Sequence, residues 1–351
     1  MANGASGTIS RNDIVLVTGA AGFIGSHLCD ALVARGERVV GVDDFNPYYD
    51  PALKRRNIEQ LSGRPGFTLM ETDVSSLRND ELDALIARSR VVYHLAAQVG
   101  VRASWDDFNA YVVRNITVTH QLLDAARRMM SAGGKLERFV LASTSSIYGD
   151  AEDLPTAETG APLPVSPYGV TKLAAERLAL LYAANFNVPV TALRLFSVYG
   201  PRQRPDMGFN IFFDSVLNGA PIQVFGDGRQ TRDFTYVSDV IAAMLAAATA
   251  DGVIGEVINV GGGHRVSLIE VLDEIERLVG RSVDRIFTPP MKGDARHTAA
   301  EISKARALLG YAPAVSLSEG LRAEWEWIRD KVPAGRRSSR APREEPASRQ
   351  L

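Results

Sequence analysis

The stretch IVLVTGAAGFIGSHLCDALVAR, residues 14–35, decides the fold of this chain. Its first five residues, 14–18, are β-branched or apolar and predict a buried strand. The glycine-rich segment GAAGFIG (19–25) follows at once, and residues 26–35 predict a helix. Glycines at this position permit a tight turn and let the backbone approach a pyrophosphate, whose charge the helix N-terminal amides meet. A strand, a glycine-rich turn and a helix in this order therefore predict a dinucleotide site.

The same alternation of strand and helix patterns continues along the first half of the chain. Short apolar runs are separated by amphipathic or Ala/Leu-rich segments, and they recur at 38–43, 67–71, 91–97, 138–144 and 188–196. This pattern predicts an α/β fold, a Rossmann-type doubly wound parallel sheet with helices on both faces. Ligands of such a sheet bind beyond the carboxyl ends of its strands.

The composition after residue 196 changes, with Pro and Gly clusters between shorter elements. We expect a smaller, interleaved C-terminal substrate-binding domain there. The predicted organisation is a flexible N-terminus at 1–12, an NAD-binding Rossmann domain at 13–196 with a later contribution around 236–262, a mainly substrate-binding domain at 197–330, and a disordered tail at 334–351.

Composition excludes several function classes. The 351 residues carry a formal net charge of −2, which gives no field for a polyanion, so nucleic acid is not an expected partner. The single cysteine, Cys29, excludes an intramolecular disulfide and a Cys-rich zinc site, and it suits a cytoplasmic location. No apolar run approaches a membrane span of ~18 residues. His94 has no partner at metal spacing, so we predict packing for it and no metal site.

A second motif contains candidate catalytic residues. Tyr168 and Lys172 lie four residues apart in SPYGVTK, and Thr144 lies 24 residues before Tyr168 in LASTSSIYG. A helix from Ser166 would place Tyr168 and Lys172 on one face. The ammonium would then lower the pKa of the phenol from its ordinary value of ~10. The pair then predicts a base for a substrate alcohol, although the same spacing is also typical of a solvated helix face.

Acidic residues after two strand runs indicate which dinucleotide is bound. Asp43 ends the second run, where a carboxylate can accept from the adenine-ribose hydroxyls and would repel a 2′-phosphate. NAD is therefore favoured over NADP. Asp73 follows the third run and suits either a place beside the adenine or a helix cap. Residues 95–97, which end the fourth run, are expected beside the cofactor.

These motifs resemble the extended short-chain dehydrogenase/reductase family of nucleotide-sugar epimerases and dehydratases. GAAGFIG, Asp43, HLAA, Thr144, the Tyr–Lys pair and QTRDFTYVSD occur in family order over about residues 13–330. The resemblance implies that Thr144 and Tyr168 hold a sugar 4-hydroxyl, that Lys172 also binds the nicotinamide ribose, and that Arg232 binds the nucleotide diphosphate. The cofactor-binding candidates are Gly19, Gly22, Phe23, Ile24, Gly25, Asp43, Asp73, Val74, Leu95, Ala96, Ala97, Tyr168 and Lys172.

A finer similarity is to the UDP-glucuronate 4-epimerases. It rests on DDFNPYYDPALKRRNI, AAQVGVRAS, TSSIYG and SVYGPRQRPDM. The resemblance implies that Ser197 and Arg204 lie nearest the substrate carboxylate, with Arg102 as a further candidate, and that Asp294 meets the UDP ribose. Arg204 also suits the alternative of a surface arginine in a turn. The family further implies a homodimer formed through the helices around Gln121 and Lys172.

The residues after Thr144 distinguish among related reactions. Decarboxylases and 4,6-dehydratases of this family carry acidic residues where this chain has Ser145 and Ser146, and a hydroxyl replaces such a proton shuttle poorly. We therefore expect NAD-dependent 4-epimerisation of UDP-glucuronate to UDP-galacturonate through a 4-keto sugar. The alternatives are a UDP-glucuronate decarboxylase (UDP-xylose synthase), a UDP-glucose 4-epimerase and an NAD-sensing regulator without turnover. The substrate-binding candidates are Thr144, Ser145, Ser146, Ser197, Arg204, Arg232 and Asp294.

Overall fold

A central sheet of seven parallel strands organises the protein, for which a computed structural model describes residues 13–291 and 293–331. The segments predicted to be flexible (1–12) and disordered (334–351) lie outside the described residues. The strands are β1 (Ile14–Thr18), β2 (Val39–Asp43), β3 (Phe67–Glu71), β4 (Ser89–His94), β5 (Arg138–Thr144), β6 (Val190–Leu195), β7 (Val198–Tyr199), β8 (Ile222–Phe225), β9 (Thr231–Asp233), β10 (Thr235–Tyr236), β11 (Val257–Val260), β12 (Arg265–Ser267) and β13 (Arg285–Thr288).

The strand order of the sheet is β11-β6-β5-β4-β1-β2-β3. Neighbouring strands pair in parallel throughout, for example Val15 with Val39 and Val17 with Tyr93. The order reverses at β1, because β2 and β3 extend the sheet to one side of it and β4 to the other. The carboxyl ends of β1 and β4 therefore flank a crevice at this switch point, where a ligand binds in such folds.

Helices cover the sheet on both faces. They are α1 (Phe23–Ala34), α2 (Pro51–Asn57), α3 (Asn79–Arg88), α4 (Phe108–Tyr111), α5 (Val118–Ser131), α6 (Pro167–Phe186), α7 (Gly208–Asn218), α8 (Val237–Thr249), α9 (Leu268–Val279), α10 (Ser303–Leu309) and α11 (Leu317–Lys331). A π-helical segment, Val112–Thr117, joins α4 to α5. Short 3₁₀ turns cover Glu59–Leu61, Val74–Ser76, Ala103–Trp105 and Ser145–Ile147.

Alternation of side chains along each strand divides the core into two layers. In β1, Val15 and Val17 pack into the layer that contains α1 and α8, whereas Ile14 and Leu16 pack into the layer that contains α3 and α5. A strand buried on both faces reads as a continuous apolar run, which is the pattern of residues 14–18. The prediction of a doubly wound parallel sheet is confirmed.

The region after β6 adds a third apolar core. Tyr199, Phe213 and Leu272 belong to it, together with Leu321 and Ile328 of α11. Around this core β8 pairs with β13 and β9 with β12, while β11 returns to the main sheet beside β6. The chain therefore crosses between the two regions more than once, and the domain boundaries given above stay a prediction.

Close packing fixes the turn between β1 and α1. A Cβ placed on Gly25 would lie 2.0 Å from the Gly19 carbonyl oxygen, and one placed on Gly19, whose φ is +72°, would lie 2.8 Å from the Ala96 nitrogen. No side chain fits at either point. The helix begins at Phe23, three residues before the predicted start at Ser26, because Gly22 of the turn is itself the N-cap residue.

Replacing Gly25 by Ala tests this packing. The added methyl group must push α1 away from the strand, so we expect the free energy of unfolding to fall by about 1–3 kcal/mol or more. Gly208→Ala is the matched control, since the nearest atoms to its added Cβ are Phe212 ring carbons at 3.8 Å. Denaturant unfolding of both variants is the measurement, and equal stabilities would contradict the steric argument.

Candidate active site

A cleft of about 470 Å³ lies at the carboxyl ends of the parallel strands. Every cofactor-binding, catalytic and substrate-binding candidate of the sequence analysis lines it. The further candidate Arg102 is the exception: it is not among the lining residues, and its guanidinium lies 4.5 Å from the centre of the Phe225 ring. The fold thus brings together residues from Gly19 to Asp294.

The glycine turn presents backbone to one end of this cleft. Gly19, Gly22 and Gly25 line it, and α1 begins beyond them without a side-chain cap and without an acidic residue in its first turn. Uncapped amides at a helix N-terminus attract anions. Because a Cβ on Gly19 or Gly25 would collide with backbone, the turn is as narrow as the approach of a pyrophosphate demands. These residues fit a dinucleotide.

Asp43 is buried at the end of β2 and braces that turn. Its carboxylate accepts from the Ala21 amide (3.0 Å), the Phe45 amide (2.9 Å) and Lys54 Nζ (2.9 Å). From the sequence, the charge of Asp43 is expected to repel a 2′-phosphate. Lys54 neutralises part of that charge, so the repulsion is weaker than the sequence alone suggests.

Asp73 is the cap that the sequence allowed, and its place beside an adenine stays a prediction. Its carboxylate accepts from the Ser75 amide at 2.8 Å and so caps the 3₁₀ turn, and it also lines the cleft. Arg114 donates to Asp73 at 3.0 Å and to Asp44. This arginine therefore joins the ends of β2 and β3 at the adenine side of the predicted site.

Thr144, Tyr168 and Lys172 meet where β5 ends and α6 begins. Ser166 caps α6, with its Oγ accepting from the Gly169 amide at 3.1 Å, so the predicted helix from this point is observed. The Tyr168 phenol lies beside the Thr144 side chain, whose Oγ1 donates to Ser146 Oγ at 3.2 Å. Lys172 Nζ donates to the Ala142 carbonyl at 2.7 Å. A phenol, a hydroxyl and an ammonium thus converge on one side of the cleft.

Burial controls the charge of these groups. It raises the pKa of Tyr168, while the nearby Arg204 guanidinium and the hydrogen bond from Thr144 act in the opposite direction. The expectation that Lys172 lowers the Tyr168 pKa is wrong for this structure, because the ammonium is directed to the Ala142 carbonyl instead. Burial also lowers the pKa of Lys172 to about 8, and the Glu176 carboxylate opposes that shift.

Arg204 lies close to the tyrosine at the substrate end. Its Nε and Nη2 donate to the two carboxylate oxygens of Asp206 at 2.9 and 3.0 Å, and Tyr48 donates to the same carboxylate at 3.3 Å. Arg204 is therefore not an unpaired surface arginine. Ser197 lines the cleft between β6 and β7 with a φ of 25°, an uncommon backbone conformation for a serine.

Arg232 and Asp294 form an ion pair in the lining of the cleft. Nη2 of the arginine donates to Asp294 Oδ1 at 2.7 Å, and Nη1 donates to the carbonyls of Thr231 (2.9 Å) and Arg296 (3.1 Å). These bonds fix the guanidinium plane. A fixed guanidinium suits an anionic oxygen-rich ligand such as a diphosphate.

His94 is part of the core, as the sequence analysis predicted. Its Nδ1 is hydrogen-bonded to Thr18 Oγ1 at 2.7 Å and its Nε2 to Thr119 Oγ1 at 3.0 Å. Burial lowers the pKa of His94 to about 3. Within 13–291 and 293–331, no three His, Cys, Asp or Glu side chains are grouped in a way that could hold a metal ion. Over the same residues, no helix has the length and hydropathy to cross a bilayer.

Several lining residues were missed by the sequence analysis. Tyr48, Tyr49 and Lys54 enter the cleft from the segment after β2, and Arg114 enters from the π-helical segment. The tyrosines and the lysine belong to the quoted motif DDFNPYYDPALKRRNI, which therefore contained a signal. No sequence signal indicated Arg114, because its partners Asp44 and Asp73 lie 70 and 41 residues away in the sequence.

Comparison with known proteins gives a consistent picture. Residues 15–261 match the model of the NAD dependent epimerase/dehydratase family. The crystal structure of a UDP-glucuronic acid 4-epimerase from Bacillus cereus with UDP-glucuronic acid and NAD is 45% identical, with a TM-score of 0.86, covering 91% of this chain and 99% of that one.

Two curated relatives carry different names. A probable UDP-glucuronate 4-epimerase of Rhizobium meliloti is 37% identical over 334 residues, covering 89% of this chain and 96% of the relative. An uncharacterized UDP-glucose epimerase of Bacillus subtilis, YtcB, is 42% identical over 316 residues, covering 90% of this chain and 97% of the relative.

The influence of Arg204 on Tyr168 is testable. Replacing Arg204 by Met removes a positive charge beside the phenol, so we expect the Tyr168 pKa to rise further, by up to about one unit. The measurement is NMR of ¹³C-labelled tyrosine rings at alkaline pH, with Tyr168→Phe to assign the signal among ten tyrosines. Arg102→Met, whose guanidinium lies over Phe225, is the control. An unchanged Tyr168 signal in the Arg204 variant would show that the two groups do not interact.

Proposed function

The chain belongs to the NAD dependent epimerase/dehydratase family, and we propose that it interconverts UDP-glucuronate and UDP-galacturonate by inverting C4 of the sugar. The family that the sequence motifs indicated is thereby confirmed. The observation that carries the choice of substrate is Arg204, which lies near enough to Tyr168 to affect its pKa. A cation at that distance from the base suits a sugar with a carboxylate two carbons beyond the reacting C4.

The glycine turn and the strand ends would hold NAD. Backbone amides at the start of α1 would bind the pyrophosphate, Asp43 would accept from the adenine ribose, and Lys172 would donate to the nicotinamide ribose. NAD, when bound, supplies the hydride acceptor for C4 and returns the hydride in the second half of the reaction. The remaining steps belong to side chains of this protein.

Tyr168 is the proposed base. It removes the proton of the 4-hydroxyl as that carbon is oxidised, and it returns the proton when the 4-keto sugar is reduced on its other face. Thr144, bonded to the same phenol, orients the sugar hydroxyl. Arg204 and the Thr144 hydrogen bond both favour the phenolate, so they oppose the effect of burial on Tyr168.

Arg204 and Ser197 would hold the substrate carboxylate. The 4-keto form of UDP-glucuronate is a β-keto acid, which loses CO₂ readily when the C5–C6 bond stands perpendicular to the carbonyl plane. Holding the carboxylate by charged hydrogen bonds keeps it out of that alignment. Since Asp206 uses Nε and Nη2 of Arg204, the remaining donors of the guanidinium are available to the substrate.

The opposite end of the cleft would hold the nucleotide. Arg232 is fixed by two backbone carbonyls and by Asp294, so its guanidinium can meet the diphosphate without further ordering. Asp294 is itself proposed to accept from the UDP ribose. The nucleotide and the sugar acid then span the cleft from Arg232 to Arg204.

Two other reactions of the family fit the cleft less well. Decarboxylation to UDP-xylose would use the same base, but Ser145 and Ser146 supply no carboxylate to move protons. UDP-glucose 4-epimerisation is favoured by the name of the Bacillus subtilis relative. It would leave Arg204 without a carboxylate to bind. A regulator without turnover would have no use for Thr144, Tyr168 and Lys172 on one cleft.

We further propose how the chain is organised and where it acts. Residues 13–196 with 236–262 form the NAD-binding domain and 197–330 mainly the substrate-binding domain. A homodimer is proposed through α5 and α6, where Val170, Leu181 and Phe186 are more than 40% exposed. The cytoplasm is proposed because the only cysteine is a buried free thiol.

Incubation with UDP-glucuronate tests the reaction. The anomeric proton signals should show UDP-galacturonate as the main product, with no net consumption of NAD. Tyr168→Phe should lower kcat by about 100-fold or more, because general base catalysis contributes that much. UDP-xylose as the main product, or turnover of UDP-glucose but not of the acid, would overturn the proposal.

Arg204→Ala tests the carboxylate contact. We expect a higher KM for UDP-glucuronate by about tenfold or more, since a charged hydrogen bond contributes about 1.5–3 kcal/mol. A larger share of UDP-xylose should also appear, because the carboxylate is no longer held. Arg102→Ala is the control and should change neither quantity. Unchanged kinetics without CO₂ release would remove the assigned role of Arg204.

A further inference from the structure

Two side-chain hydrogen bonds join α6, the helix that carries Tyr168, to β5. One turn further along α6, Lys172 Nζ donates to the Ala142 carbonyl at 2.7 Å. One turn further again, Glu176 Oε2 accepts from Ser143 Oγ at 2.6 Å. Residues at i, i+4 and i+8 share one helix face, so Lys172 and Glu176, one and two turns after Tyr168, bind consecutive residues near the end of β5.

Glu176 is completely buried and is paired with a buried arginine. Its Oε1 accepts from Arg194 Nη2 at 2.7 Å and its Oε2 from Arg194 Nε at 3.0 Å. The relative exposures of the two side chains are 0% and 2%. Charged groups at this depth persist only when they are paired and fully hydrogen-bonded.

The rest of the arginine is fixed as well. Its Nη1 donates to the Tyr148 hydroxyl at 2.6 Å and to the Glu158 carbonyl at 3.2 Å, and the Tyr148 ring centre lies 4.7 Å from the guanidinium carbon. Tyr148 in turn donates to Asn259 Oδ1 at 2.8 Å. The chain of contacts thus extends from α6 through β6 to β11.

Stability alone does not account for this arrangement. A buried ion pair is often no more stabilising than apolar side chains of the same volume. Glu176 lies one turn beyond Lys172 on α6 and is buried with Arg194 of β6. In such a region of low dielectric a charge acts strongly on its neighbours. Their location therefore points to an effect on the ammonium group.

We propose that Glu176, held by Arg194 and Ser143, is a positioning residue that seats α6 on β5 and supplies the negative charge that Lys172 faces. Lys172 itself is bound by a neutral carbonyl, so the nearest carboxylate on its own helix is what favours its charged form. Burial lowers the pKa of Lys172 to about 8, close enough to neutral pH for the loss of one neighbouring charge to matter.

The other charged or titratable groups around Lys172 do not supply this charge. Tyr168 precedes it by one turn, and burial raises the pKa of its phenol, which disfavours a negative charge there. His94 of β4 is buried, and its lowered pKa keeps it neutral. From β5 come the Ala142 carbonyl and the Ser143 and Thr144 hydroxyls, and from β6 comes Arg194, whose charge has the opposite sign.

Glu176→Gln is the direct test, because it removes the charge and keeps the shape. The titration of Lys172 is followed by NMR of ¹³C-labelled lysine side chains, with Lys172→Met to assign the signal among six lysines. Loss of a nearby negative charge disfavours the ammonium, so we expect the Lys172 pKa to fall by about one unit or more. The basic limb of the pH profile of kcat/KM should move to lower pH by the same amount.

Ser143→Ala is the matched control, since it removes a hydrogen bond to Glu176 without changing any charge. We expect its Lys172 titration to coincide with that of the unmodified protein. Glu176→Asp keeps the negative charge, so its Lys172 pKa should also stay close to that of the unmodified protein. Equal titration of Lys172 in the Gln variant and the unmodified protein would overturn the proposal. So would an equal shift in the Ser143 variant, because packing and not charge would then be the cause.

A paired variant keeps the test independent of folding. Glu176→Gln leaves the Arg194 charge buried and unpaired, which destabilises the protein. The double variant Glu176→Gln with Arg194→Met removes both charges together and should still show a lower Lys172 pKa, while an unchanged titration would overturn the proposal. The NMR titration needs no substrate, so its result stands apart from the identity of the sugar that the enzyme converts.

Discussion

The absence of side chains at Gly19 and Gly25 is the constraint on which the rest of the site depends. With the Gly25 Cα against the Gly19 carbonyl, α1 starts directly above the end of β1 and directs its first amides into the cleft. The Ala96 backbone closes on Gly19 from β4 in the same way. Three pieces of backbone thus meet without intervening side chains, which leaves room for a ligand that is recognised through amides.

Charges placed around this backbone are almost all paired within the protein. Asp43 is bound by Lys54, Asp73 by Arg114, Arg204 by Asp206, and Arg232 by Asp294. The pairs order the side chains that a nucleotide sugar would meet, so less conformational entropy is lost on binding. They also reduce the net charge that each residue presents to a ligand. Because Lys54 is paired with Asp43, the carboxylate repels a 2′-phosphate less strongly than an unpaired one would.

Much of this arrangement could be predicted from the sequence, because local patterns carry it. The apolar run 14–18, the turn 19–25 and the spacing of Tyr168 and Lys172 fixed the sheet, the dinucleotide end and the helix face. The parallel strands then bring their carboxyl ends to one edge, so residues from Gly19 to Asp294 line one cleft. The pairing of Arg114 with Asp44 and Asp73 was not predictable, since only the tertiary fold brings these residues together. The predicted direction of the Tyr168 pKa shift was wrong, because burial of the phenol outweighs the charges near it and the spacing of Tyr168 and Lys172 does not reveal that burial.

The pairing of Arg204 bears on how one cleft could serve acidic and neutral sugars among relatives. A partly buried guanidinium without an anionic partner carries a free-energy cost, so binding of a neutral sugar beside it would be unfavourable. With Asp206 accepting from Nε and Nη2, the guanidinium is compensated whether or not a carboxylate arrives. An acidic sugar can still bind the remaining donors, and it gains more than a neutral one because its charge is met there. A preference for the acid would therefore come from added hydrogen bonds at a neutral ion pair, while rejection of a neutral sugar would require a further contact.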